Sequence, residues 1–136
     1  MKDNNINTDL NIELMTDYAI DVSESANGLC VLIKHDYYST DNDNGRAMLD
    51  CFLNSLTVSS ERIFLLIITD SAVKLLDTSD KLKALIKAVN MTLIDNDSAA
   101  YYDVVLDSYL SDKAHAVPMS EITDQIIESR PGLIIE

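Results

Sequence analysis

Short apolar runs recur along the chain, and they are nearly continuous in hydrophobicity instead of alternating with polar residues. Continuous runs of this length are typical of strands that are buried on both faces of a parallel sheet. The pattern predicts strands at residues 29–33, 63–68, 91–94, 114–117 and 133–135.

Helical periodicity fills the gaps between these strands. The first predicted helix follows the turn residues 43–45, and its apolar face comprises Met48, Leu49, Phe52, Leu53 and Leu56. In the second, an i, i+3, i+4, i+7 stripe comprises Leu82, Leu85, Ile86 and Val89. Thr78 or Ser79 can cap the second helix, because a side-chain oxygen there accepts a hydrogen bond from a first-turn N–H.

Two further helices are predicted after the third and fourth strands. The third begins at Asp97 or Ser98, runs to about residue 110, and buries Tyr101, Val104 and Val105. The fourth covers residues 120–129 between a proline and a Pro-Gly pair, with its inward face formed by Ile122, Ile126 and Ile127.

Alternation of strands and helices favours right-handed crossovers with helices on both faces of a sheet. The predicted fold class is therefore α/β: a three-layer, flavodoxin-like sandwich of about five mostly parallel strands. Residues 28–136 are expected to form this domain. Residues 1–27, which are rich in Asn and Asp, are expected to form a partly flexible amino-terminal arm whose weakly apolar part is a short helix or an added strand.

Charge narrows the choice of partners. The chain of 136 residues has 23 acidic and 10 basic side chains and a net charge of −13. Such a balance repels phosphate backbones and anionic lipids, so we expect neither nucleic-acid nor membrane partners. The sequence shows no secretory signal and no apolar run of about 18 residues, and we expect a cytoplasmic protein in which Cys30 and Cys51 are reduced, buried thiols.

If the strands are correct, polar side chains gather at the carboxyl edge of the sheet, where ligands bind in parallel α/β proteins. This carboxyl rim comprises His35, Asp36, Asp41–Asn44, Thr69–Ser71, Lys74 and Asp95–Ser98. Within it, the pocket or binding candidates are Asp36, Asp70, Lys74, Asp95, Asp97 and Ser98. We expect Lys74 to pair with Asp70 or Asp77.

The acidic rim raises the possibility of a divalent cation, since Mg²⁺ and Ca²⁺ prefer oxygen ligands. An EF-hand loop with Gly45 in sixth place would start at Thr40 and end at Cys51, where Asp and Glu belong. Three glycines in all are too few for a Walker A loop or a dinucleotide fingerprint. We therefore expect a solvated acidic rim with neither a metal nor a cofactor.

Several segments resemble the DsrE/DsrF-like sulfur-relay family, and most of all the carboxyl-terminal domain of YedF-type proteins linked to selenium metabolism. The resemblance lies in residues 32–36, 45–49, 52–56, 70–75, 101–102 and 119–122. It implies a three-layer α/β fold, assembly into homo-trimers or homo-hexamers, and transfer of persulfide sulfur to and from a sulfur-carrier protein.

One part of the family pattern is missing. YedF-like sequences have Cys-Gly-Thr-Cys-Leu-Asp before a tyrosine pair, whereas residues 95–100 read Asp-Asn-Asp-Ser-Ala-Ala. Asp95 and Ser98 thus replace both cysteines, and neither side chain can hold sulfane sulfur as a thiolate does.

Two hypotheses follow. The preferred one is a non-catalytic DsrE/YedF-like domain that acts as an oligomeric subunit or as a ligand- or partner-binding module. The alternative is a persulfide carrier in which Cys51 or Cys30 takes up sulfur.

Overall fold

A computed structural model describes residues 20–25 and 27–129 of the chain. The strands are β1 (Ile20–Ser25), β2 (Gly28–Ile33), β3 (Ile63–Ile68), β4 (Thr92–Asp95) and β5 (Ala114–Val117). The helices are α1 (Asp43–Val58), α2 (Leu75–Thr78), α3 (Asp80–Ala88), α4 (Asn96–Tyr101) and α5 (Met119–Ser129). Short 3₁₀ helices cover Ser60–Arg62, Asp70–Lys74 and Asp107–Tyr109. The predicted strand at residues 133–135 lies outside the described residues.

The strands form one sheet in the order β1-β2-β3-β4-β5. Strands β2 to β5 are parallel, whereas β1 runs antiparallel to β2. The predicted three-layer α/β sandwich of the flavodoxin-like type is thus confirmed, although its strands follow chain order and the flavodoxin order is 2-1-3-4-5. Within the predicted arm, the weakly apolar stretch contributes the added strand β1.

The two faces of the sheet are covered differently. Successive strand residues point to opposite faces, so Val31 and Ile33 face one layer while Cys30 and Leu32 face the other. The first layer contains buried residues of α1, α2, α3 and α4. The second layer contains the buried residues Ile122 and Ile126 of α5. This arrangement follows from chain-order strands, because right-handed crossovers between successive neighbours all lie on one face.

Helices α1 and α3 begin at side-chain caps. Asn42 Oδ1 accepts a hydrogen bond from the Gly45 N–H at 2.8 Å, and Ser79 Oγ accepts one from the Leu82 N–H at 3.2 Å. Ser79 is thus the cap of the second predicted helix. On α3, Leu82 and Leu85 are fully buried, and burial of each such side chain contributes about 1.5–3 kcal/mol.

The third predicted helix is wrong in both start and length. Helix α4 begins after Asp95, which caps it, and ends at Tyr101. Asp103 adopts a left-handed backbone with φ 58° and turns the chain away. Val104 is buried as predicted, but Tyr101 and Val105 are 79% and 72% exposed.

The fourth predicted helix is nearly correct. Helix α5 begins one residue earlier, at Met119, and buries Ile122 and Ile126. Ile127 is 55% exposed, so the prediction that it faces inward is wrong. Ile126 already points at the sheet, and the next residue is turned by about 100° to the flank of the helix.

Candidate functional site

The carboxyl ends of β2, β3 and β4 bring most of the predicted rim side chains together. Asp36 follows β2, the 3₁₀ helix Asp70–Lys74 follows β3, and Ser98 lies in the first turn of α4 after β4. Parallel pairing of these strands places their ends side by side. The rim is therefore a consequence of topology, and its contacts join segments far apart in sequence.

Lys74 forms an ion pair with Asp36. The prediction that it pairs with Asp70 or Asp77 is therefore wrong. Lys74 Nζ lies 3.1 Å from Asp36 Oδ2, with the lysine side chain 43% and the aspartate 17% exposed. The Asp36 backbone N–H donates to Ser71 Oγ at 3.1 Å. Asp36 is thus held by a cation and a hydroxyl from the loop after β3.

Asp95 and Ser98 are bonded to each other at the start of α4. The Asp95 carboxylate accepts the backbone N–H of Asp97 at 3.3 Å and that of Ser98 at 3.2 Å. It also accepts the Ser98 hydroxyl at 2.5 Å. Asp95 is 6% exposed, so this capping satisfies a buried carboxylate and otherwise unpaired N–H groups at once.

Ser98 and Tyr102 both contact Asp70, which follows β3. The Asp70 N–H donates to Ser98 Oγ at 2.8 Å, and the Tyr102 hydroxyl donates to Asp70 Oδ1 at 3.2 Å. Asp70 has φ 53°, a left-handed conformation that aspartate tolerates better than most residues. Lys74 Nζ lies 5.1 Å from the centroid of the Tyr102 ring, within cation–π range.

The electrostatics of this cluster show at Tyr102. Its pKa is raised above the ordinary tyrosine value, chiefly because burial disfavours the phenolate and next because the Asp70 carboxylate repels it. Lys74 acts in the opposite direction. The phenol is protonated at neutral pH, as tyrosines ordinarily are, and acts as a hydrogen-bond donor to Asp70.

Other predicted rim residues lie outside these contacts. Arg46 binds Asp41 at 2.9 Å and Asp43 at 3.1 Å, and its pKa is raised chiefly by the hydrogen bond to Asp43. These are local, exposed pairs that join the first turn of α1 to the residues just before it. Such pairs typically contribute at most about 1 kcal/mol.

Asp97 and His35 also remain apart from the cluster. The Asp97 side chain is exposed, and only its backbone N–H joins the cap of α4. The His35 ring is stacked on Tyr37, with 5.0 Å between centroids. Neither is positioned by the rim as a catalytic acid or base.

A small cavity of about 240 Å³ lies beside Asp36, between α1 and the start of α3. Arg46 and Asp50 of α1 contribute to its wall, together with Ser79. The Ser79 hydroxyl donates to Asp50 Oδ1 at 3.3 Å. The cavity is thus polar, and it is lined by charges of both signs.

The thiols lie in different environments. Cys30 in β2 is 3% exposed and thus buried as predicted. It packs in the layer covered by α5. Cys51 is exposed on α1, so the prediction that it is buried is wrong. On α1 the core-facing residues include Leu49 and Leu53, and a residue midway between them points about 200° away from each.

Among the described residues, no group of three or more His, Cys, Asp or Glu side chains is arranged to hold a metal ion. The helices within the same part of the chain are all too short or too polar to cross a membrane. Comparison with family models, curated proteins and solved structures gives no match.

Sequence reasoning placed the rim but missed two of its contacts. Ser71 and Tyr102 hold Asp36 and Asp70. Ser71 was placed in the rim but not among its binding candidates, and Tyr102 was not placed in the rim. Ser71 lies three residues after the end of a predicted strand, which is a usable signal. For Tyr102 the sequence offered no signal beyond its place in a tyrosine pair, because the predicted helix continued past it.

Proposed function

We propose that the protein is a non-catalytic DsrE/YedF-like domain, related to sulfur or selenium metabolism, that works as an oligomeric or partner-binding module. The observation that carries the proposal is the 2.5 Å hydrogen bond between Asp95 and Ser98. These two residues stand where the family pattern has its cysteines. Both are used to start α4, and neither is a sulfur nucleophile.

The rest of the rim supports a binding role. The Ser98 hydroxyl donates to Asp95 and accepts from the Asp70 N–H, so its hydrogen-bonding groups serve the fold. Lys74 is paired with Asp36. The rim is a rigid, internally bonded platform, which suits a surface that recognises a partner better than one that transfers protons.

Two exposed apolar side chains, at the end of α4 and just beyond it, are suitable contacts for that partner. Tyr101 is 79% exposed, and its ring is fixed edge-on to Tyr102 with 4.8 Å between centroids. Val105, four residues on, is 72% exposed. Rigid exposed aromatics are favoured in protein interfaces because little side-chain entropy is lost on binding. We propose a second copy as the partner, in a trimer or hexamer located in the cytoplasm.

The test is the molar mass of the purified protein by light scattering. We expect a homo-oligomer that dissociates in the variant Val105→Asp, because the new charge would be desolvated in the interface. Val58→Asp is the matched control: Val58 is 82% exposed at the end of α1, and we expect its oligomer to persist. A wild-type monomer at all concentrations would refute assembly through this surface.

Exposure of Cys51 favours one second candidate, a persulfide carrier that uses this thiol. Treatment with a persulfide donor followed by intact mass measurement separates the two functions. The non-catalytic proposal expects no stable gain of one sulfur atom. A one-sulfur gain that Cys51→Ser abolishes and Cys30→Ser retains would establish the carrier instead.

A further inference from the structure

A second cavity lies at the opposite end of the sheet from the carboxyl rim. It opens between α3 and residues 108–113, which lead into β5, and has a volume of about 450 Å³. The Thr92 N–H donates to the Lys113 carbonyl at 2.7 Å, which fixes this segment against the start of β4. We call this cavity the lysine groove; its walls include Lys83, Ile86, Lys87, Tyr109, Leu110 and Lys113.

The charge of the lysine groove is opposite to that of the chain. Three of the ten basic residues line it, and no acidic residue does. Asp107 and Asp112 belong to the same loop but are not part of the lining. In a chain of net charge −13, a lining with three lysines and no carboxylate favours small anions over small cations.

Among the described residues, neither Lys83 nor Lys113 forms a close ion pair. Lys83 Nζ lies 3.8 Å from Asp80, whose side chain is fully exposed, so that pair is worth little. Lys113 Nζ donates to the Lys87 carbonyl at 3.1 Å, which brings its charge to the end of α3. Cations that line one cavity repel one another, and a bound anion lowers that repulsion.

One wall of the lysine groove is apolar and held in place. The Tyr109 hydroxyl donates to Asp77 Oδ1, which fixes the ring, and Ile86 packs partly buried on the same side. Leu110 is 37% exposed. A flat ring or a short apolar chain can therefore pack here while its anionic group faces the lysines.

We propose that the lysine groove binds a small organic anion, one that carries a carboxylate, sulfonate or phosphate on an aromatic or apolar body. Its volume falls within the range of small-molecule sites, roughly 300–1,000 Å³. Longer anions such as nucleic acids would meet the surrounding negative surface. The inference is independent of the function proposed for the rim.

The experiment uses anilinonaphthalene sulfonate as the anionic probe and phenylnaphthylamine, which has the same rings without the sulfonate, as the neutral one. Fluorescence titration should give one saturable site for the anion and weaker binding of the neutral compound. Because an exposed charge pair contributes up to about 1 kcal/mol, Lys87→Ala should weaken anion binding about two- to fivefold, and Lys83→Ala with Lys87→Ala about four- to 25-fold.

The matched control is Lys81→Ala, an equal loss of charge at an exposed position of α3 outside the lysine groove. It should leave anion binding within about twofold, since distant exposed charges are screened by salt. Thermal unfolding of each variant shows whether the fold is retained. Backbone amide chemical shifts should locate the bound anion at residues 83–87 and 108–113.

The inference is overturned by the absence of saturable anion binding, by equal loss of affinity in the Lys81 and Lys87 variants, or by chemical-shift changes centred elsewhere. Preference for the neutral probe would also overturn it, because the apolar wall alone would then account for binding. If the double substitution unfolds the protein, the single Lys87→Ala variant and the chemical-shift map still test whether the lysine groove binds the anion. The Lys87→Ala variant should fold, because the Lys87 ammonium makes no contact that supports the described fold.

Discussion

Gly45 is buried in the first turn of α1, beneath the loop that leads from β2 into this helix. Its N–H donates to the cap Asn42, and its carbonyl accepts the Tyr38 N–H at 2.9 Å. A Cβ at this position would lie 1.7 Å from the carbonyl oxygen of Thr40, a backbone atom that cannot rotate away. The glycine is thus required by close approach of the loop and not by its own backbone angles.

Gly45→Ala should therefore destabilise the protein, by at least about 2 kcal/mol, although alanine is the better helix former. The free energy of unfolding in urea measures the effect. Asn54→Ala, at an exposed position of the same helix, is the control, and it should stabilise by about 0.5 kcal/mol. If both substitutions raised the free energy of unfolding equally, the close approach of the loop to Gly45 would be contradicted.

The hydrogen bond from Tyr109 to Asp77 makes the stability of the folded protein depend on pH in the alkaline range. Its pKa is raised above the ordinary value, chiefly by the hydrogen bond it donates to Asp77, then by burial. Because the folded pKa exceeds the unfolded one, the folded state holds the proton more tightly, and this contribution is complete below about pH 10 and lost as pH rises through the folded pKa.

Wild-type stability should accordingly fall more steeply above about pH 10 than the stability of Tyr109→Phe, which has no phenol proton to lose. Urea unfolding across this pH range is the measurement. Asp77→Asn, which keeps an acceptor but removes the repelling charge, should show an intermediate slope. Parallel pH profiles for all three proteins would show that the hydrogen bond to Asp77 does not hold the proton.

Helix α4 ends in a Schellman motif. The Val104 N–H donates to the Ala99 carbonyl at 2.8 Å, and the Asp103 N–H donates to that of Ala100 at 3.3 Å. Both Ala99 and Val104 are buried, as the motif's apolar contact requires. Asp103 supplies the left-handed residue, with φ 58°, at the position where glycine is most favoured.

Asp103→Gly should stabilise the protein by about 0.5–1 kcal/mol, because glycine adopts the left-handed region without strain. Asp107→Gly removes the same charge from the exposed loop that follows. Its backbone is not left-handed, so it should lose stability through the greater freedom of the unfolded chain. Thermal unfolding under identical conditions compares the two, and a gain in both variants would point to charge reduction alone.

Elements were predictable from sequence where burial dominates. The runs in β2 and β3 are buried on both faces, so their continuous hydrophobicity located them correctly. Helix α4 was mispredicted because its end depends on one aspartate in a left-handed conformation, which is rare for residues other than glycine. An apolar Val105 past that point looked like another core residue but is solvent-exposed.

The candidate site was predictable only as a location. Strand ends fix which loops meet, and Asp36, Asp70 and Ser98 do meet at the carboxyl rim. The partner of Lys74 was not predictable, because a long flexible side chain reaches several carboxylates and the choice depends on loop geometry. The capping role of Asp95 was missed because β4 ends one residue later than its apolar run.

At the scale of the whole molecule, the cysteines report on different parts of the fold. Cys51 lies on the outer surface of α1, on the side of the sheet that holds the larger apolar layer. Cys30 lies beneath α5 on the other side, at 3% exposure. Access to Cys30 requires opening of the layer between the sheet and α5, whereas access to Cys51 requires no unfolding.

Reaction with a chromogenic aromatic disulfide should therefore show one fast thiol in native buffer and a second only on unfolding. For a domain of ordinary stability the second should react at least about a thousandfold more slowly, because reaction waits for opening of the core. Cys51→Ser should abolish the fast phase, and Cys30→Ser should keep it. Two fast thiols in the native protein would mean that α5 does not cover β2, and the three-layer arrangement would then be incorrect on that face.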